Sequence, residues 1–134
     1  MDASDRLALS DLQHRYGDVV SRRAWSELED LLHPGCRLEL ALRDKDLTVD
    51  GSAEVIEFVS RSVSSFDRFL FSVLNHVVGP GPTGRMWIQE LRWSGDDHST
   101  AYGLYDDAFV RDDEGRWWFA SRRYTSISGG RYQP

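Results

Sequence analysis

The turns Gly79-Pro-Gly-Pro-Thr-Gly84, Ser94-Gly-Asp-Asp-His-Ser99 and Asp112-Asp-Glu-Gly115 cut the second half of the chain into four segments: Phe66 to Val78, Gly84 to Trp93, Thr100 to Arg111 and Arg116 to Ile127. Glycine, proline, aspartate and serine supply the dihedrals and local hydrogen bonds of tight turns. The segments between them are rich in Val, Phe, Tyr and Trp, which suit a pleated surface. Short links between consecutive strands favour an antiparallel meander. Aromatic residues of both parities occur in these strands, so both faces of the sheet require cover.

Upstream the period changes from two to that of a helix. Leu9, Leu12, Tyr16, Val19 and Val20 line one stripe of an opening helix. A second helix is expected from Ser26, with Glu29 at capping-box spacing and Pro34-Gly35 as its stop. Cys36, Leu38, Leu40 and Leu42 alternate as a half-buried strand, and Leu47 to Gly51 reads as a short strand or extended loop. Ser52 offers a cap for a third helix carrying Val55, Ile56, Phe58 and Val59. Three helices before a curved, mostly antiparallel sheet make an α+β cone whose concave face can enclose a cavity. Residues 1–127 form this one domain, and 128–134 are expected to be a flexible tail.

The 134 residues carry 40% hydrophobic content and a formal charge of −6. That charge argues against a nucleic-acid surface, which needs a basic footprint. All but Lys45 of the 16 positive residues are arginine, so an anion would meet a planar guanidinium. The lone Cys36 forms no internal disulfide, and no apolar run approaches the roughly 20 residues of a membrane helix. The acidic start lacks a signal-peptide pattern, so a cytoplasmic location is expected. No metal-ligand spacing, phosphate loop or nucleophile elbow is present, and neither metal nor cofactor is expected.

Candidate site residues come from the helical stripe and the strands. Tyr16 lies among apolar positions, where its phenol can enter a cavity. Asn75 shares a parity with Phe71 and Val73 and can hydrogen-bond a carbonyl or hydroxyl; His76, on the opposite parity, can move a proton near neutral pH. For His76 to meet Tyr16, a strand bulge must re-aim it. Glu90, flanked by long apolar residues, reads as a buried base or as the partner of an arginine. In the last strand Trp118, Arg122 and Tyr124 share a parity; Arg122 can stack on an apolar body and bind a carboxylate.

The stretches Asp5-Arg-Leu-Ala-Leu-Ser-Asp-Leu12, Arg15-Tyr16 followed by Trp25-Ser-Glu-Leu28, the Asn75 strand, Tyr105-Asp-Asp-Ala-Phe-Val-Arg111 and Gly115-Arg-Trp-Trp-Phe-Ala-Ser-Arg122 together resemble the SnoaL-like branch of the nuclear transport factor 2-like (NTF2-like) superfamily. The resemblance implies a cone-shaped fold, a homodimer and a pocket for a small hydrophobic ligand. Relatives of the dehydratase type use an aspartate late in the first helix and a histidine on the strand after the third. Here those places fall on Ser21 and on Phe71 or, with a shifted register, His76. The implied function is a cofactor-free lyase or isomerase acting on a hydrophobic carbonyl or hydroxylated substrate. His76 or Glu90 takes the proton, Tyr16 and Asn75 hold the oxyanion, and Arg122, Ser21 and Trp118 help bind substrate. The alternative is a ligand-binding or accessory protein of the same fold without turnover.

Overall fold

The computed structural model describes residues 1–134. Its elements are α1 (Ala3–Arg22), α2 (Trp25–Leu28), β1 (Leu32–Ala41), β2 (Asp46–Asp50), α3 (Ser52–Ser64), β3 (Arg68–Val78), β4 (Thr83–Ser94), β5 (Asp97–Arg111) and β6 (Trp117–Ser126). α1 starts under a reciprocal cap, the Asp2 carboxylate accepting from Asp5 N–H at 2.8 Å and the Asp5 carboxylate from Asp2 N–H at 3.2 Å. Its buried stripe includes Leu9, Leu12, Tyr16, Val19 and Val20. The Ser26–Glu29 capping box is not made. α2 is a single turn entered from Ala24 without a side-chain cap, and Ser26 lies inside it.

Pro34-Gly35 also falls inside β1 instead of ending a helix. The pairing of β1 with β6 jumps from Leu32↔Phe119 to Arg37↔Ser121. The proline, which has no N–H to give, occupies the interruption. β1 pairs antiparallel with β2 and parallel with β6, and β3 to β6 form the expected antiparallel meander. The result is one six-stranded sheet in the order β2-β1-β6-β5-β4-β3, with the helices against its inner face.

Two bulges change which side chains face inward. In β3, Val73 opposes Ile88 while Asn75 opposes Trp87, leaving Leu74 unpaired. His76 therefore joins Phe71 and Val73 on the helix side, and Asn75 moves to the outer side, the reverse of their simple alternation. In β6, Phe119 opposes Phe109 while Ser121 opposes Ala108, leaving Ala120 unpaired. Phe119 and Arg122 consequently share the inner face, and Trp118 points outward, contrary to the parity that grouped it with Arg122.

Opposed residues in an antiparallel ladder share a face, so register fixes the layers of the inner surface. One row holds Gly84, Asp107 and Arg122; the next holds Met86, Tyr105 and Tyr124. Nearer the open end come Glu90 with Ala101, then Arg92 with Ser99. Two of the final residues make contacts back to the sheet. Arg131 donates to Leu42 O at 2.5 Å and to the Asp46 carboxylate at 2.8 Å, and the Tyr132 ring meets Trp87 edge-on at 5.2 Å.

Candidate functional site

Two depressions are large enough for a small molecule. One of about 590 Å³ lies on the outer sheet face, where Arg37 is paired with Asp50 and Arg85 with Asp106. The other, about 460 Å³, lies between the inner sheet face, α1 and α3. The inner one joins apolar walls to a few convergent polar groups, the usual character of a ligand site.

Phe58, Val59 and Val63 of α3 form one wall, with Leu38 and Leu40 of β1 beside them. Tyr16 of α1, Tyr105 of β5 and Tyr124 of β6 line its depth, with ring centroids 6.0 Å apart for Tyr16–Tyr105 and 5.1 Å for Tyr105–Tyr124. Gly103 makes the last ring possible: a Cβ there would stand 2.2 Å from the Tyr124 ring. Burial pushes all three phenols above their ordinary range. They remain protonated donors through the physiological range.

Glu90 projects from β4 into the same cavity, with one fifth of its side chain exposed. Burial raises its carboxyl above the ordinary value, and the Arg92 guanidinium, 3.9 Å away, pulls it partly back. The negative charge on Glu90 in turn contributes to holding Tyr16, Tyr105 and Tyr124 protonated. A carboxylate that resists ionisation facing neutral phenols is an arrangement for proton transfer with oxyanion stabilisation.

Arg122 lies beneath this floor. Its guanidinium carbon is 4.0 Å from the Tyr16 ring centroid, 3.9 Å from Tyr105 and 4.3 Å from Phe119. Its Nε donates to Asp107 at 2.7 Å, and both side chains are essentially sealed from solvent. It does not line the inner cavity; the rings separate it from ligand space. Burial pushes the Asp107 carboxyl up, while Arg122 supplies the opposing charge and hydrogen bond.

The remaining sequence candidates lie elsewhere. Ser21 Oγ accepts from Phe71 N–H at 2.9 Å and faces Phe71 O at 3.4 Å, fastening α1 to edge strand β3. Asn75 is exposed on the outer face. Trp118 donates to the Asp112 carboxylate at 2.9 Å and lies under Arg116. His76 is turned to the helix side by its bulge, yet meets Ser10 Oγ at 2.7 Å and the His14 ring at 4.4 Å, away from the cavity. Burial and the neighbouring His14 lower its pKa. Tyr105, Tyr124 and Arg92 were not selected from sequence; their signal was the inward parity they share with Glu90.

The SnoaL-like domain profile matches residues 1–123, and the chain belongs to that family. Its fold is shared with a protein from Kribbella flavida, Kfla4162, at 21% identity and TM-score 0.76, covering 93% of each chain. An NTF2-like protein with a cystatin-like fold from Novosphingobium aromaticivorans matches at 18% identity and TM-score 0.71, covering 94% of this chain and 84% of that one. A ketosteroid isomerase-like protein from Erwinia carotovora atroseptica matches at 11% identity and TM-score 0.69, covering 94% and 98%. No curated protein matches the chain.

Proposed function

We propose that this SnoaL-like protein is a cofactor-independent lyase or isomerase for a small apolar carbonyl or hydroxylated compound, with Glu90 as the base. The convergence of the Glu90 carboxylate with three protonated phenols in one largely apolar cavity carries the proposal. Glu90 takes a proton from carbon next to a carbonyl, and the C–H electron pair moves onto oxygen as an enolate. A phenol from Tyr16, Tyr105 or Tyr124 donates a hydrogen bond to that oxygen. Return of the proton at another carbon completes an isomerisation; transfer of that proton from Glu90 to a β-hydroxyl, with cleavage of its C–O bond and loss of water, completes an elimination. The protein acts in this reading as a cytoplasmic homodimer joined through the outer sheet face.

Isomerisation of β,γ-unsaturated to α,β-unsaturated cyclic ketones, followed by enone absorbance, tests the assignment. Glu90→Gln is expected to lower turnover by about 10²–10⁴, the usual contribution of a positioned base. Tyr16→Phe is expected to lower turnover more than binding. Wild-type turnover in Glu90→Gln overturns the assignment; binding without conversion of any such ketone favours the ligand-binding alternative.

A further inference from the structure

The charged residues lining the inner cavity are Arg43, Glu90 and Arg92. A chain of formal charge −6 thus lines this cavity with two arginines against one glutamate. Arg92 is held ready for a partner. Its Nε donates to Ser99 Oγ at 3.2 Å, its guanidinium lies 5.1 Å from the Phe66 ring centroid, and only 26% of the side chain is exposed. The planar end is oriented by these contacts, while its Glu90 neighbour stands at a loose 3.9 Å. Arg43 is fixed differently, its Nη2 donating to Ser128 O at 2.7 Å. Arg122, by contrast, already holds Asp107 and is screened from the cavity by aromatic rings.

We infer that the ligand is bipolar: an apolar body reaching the three tyrosines, and an anionic oxygen group, carboxylate or phosphate monoester, held at the opening by Arg92 and Arg43. A guanidinium offers two parallel N–H donors that match either group. This inference rests on the proposed use of the cavity and adds the class of substrate. It also gives Arg92 a second role. When the ligand's anion takes its donors, Glu90 loses its nearest positive partner and becomes the stronger base.

Calorimetric titration with 2-naphthoate, 2-naphthyl phosphate and the neutral methyl 2-naphthoate tests binding without requiring turnover. On the wild-type protein at least one anion is expected to bind about tenfold or more tightly than the ester, a difference of about 1.4 kcal/mol. The tighter anion identifies the favoured group. In Arg43→Gln/Arg92→Gln, with the fold checked by circular dichroism, the preference is expected to fall within about twofold while ester affinity persists. Glu90→Gln is expected to strengthen anion binding several-fold and leave the ester unchanged, because it removes a competing acceptor from Arg92. Equal affinities for anions and ester, survival of the preference in the double variant, or no binding of all three overturns the inference. Anion preference without turnover of β,γ-unsaturated ketones, neutral or carrying such an anionic group, keeps this inference and defeats the catalytic one; turnover without anion preference does the reverse.

Discussion

Glu90 carries its charge against the pull of its surroundings, and that conflict has a sign that stability measurements can read. Burial raises its folded-state pKa above the ordinary value near 4.5, so the folded protein binds this proton more tightly than the unfolded chain. The resulting stability is present below the unfolded pKa and is lost as pH rises through the raised folded value. Glu90→Gln is therefore expected to raise the denaturation midpoint at neutral pH, with the gain shrinking as pH falls through the raised folded value and gone below about 4.5. The opposite trend would show that Arg92 outweighs burial. Asp107 and Arg122 set a different test. Removing either partner leaves a buried charge alone and is expected to cost about 3–5 kcal/mol, whereas Asp107→Leu with Arg122→Met is expected to cost less than either single change. Urea titrations of the three variants check this. Tyr16 and Glu90 were legible in the sequence because each interrupts an apolar pattern with one polar group. Arg122 was legible as a stacked arginine, but its partner was not, since Asp107 reaches it only across the β5–β6 pairing.

Strand β3 forms one edge of the sheet, so its outward N–H and C=O groups need partners beyond the sheet. Ser21 supplies a hydroxyl to Phe71, and Gly17 permits the helix to approach: a Cβ there would stand 3.1 Å from the Phe71 ring. Ser21→Ala is expected to cost about 1–3 kcal/mol by leaving the Phe71 N–H without its acceptor. Faster hydrogen exchange at that amide, relative to the centre of β5, is the direct readout. The turns and alternating residues made β3 to β6 legible as a meander. A bulge entered the sequence reading only as the condition for an inward His76; the positions at Leu74 and Ala120 were not legible, because a one-residue slip is chosen by the fit of the whole ladder and neither residue marks it. That slip explains why His76 and Asn75 exchange faces and why Trp118 leaves the face of Arg122. The β1–β6 contact was equally hidden, since local pattern does not specify a pairing between distant segments.

At the scale of the molecule, the outer sheet face is the candidate meeting surface for two copies. Leu74 and Val77 are both more than half exposed near the β3 edge, with Tyr102 also exposed. Light scattering at micromolar concentration is expected to give about twice the 15.4 kDa chain mass, and Leu74→Glu/Val77→Glu to return it to one. A single-chain mass for the unmodified protein would reject the dimer. The parallel β1–β6 pairing has a consequence in time. During synthesis β1 leaves the ribosome long before β6 exists, so it can close only its local hairpin with β2 and must wait for its other neighbour. Closing that distant pair carries a large loop entropy and places the protein among slower, topology-limited folders. A nascent chain halted before β6 presents an open strand edge and lacks Tyr124; the last strand to emerge joins the two halves of the sheet and completes the wall of phenols in the same event.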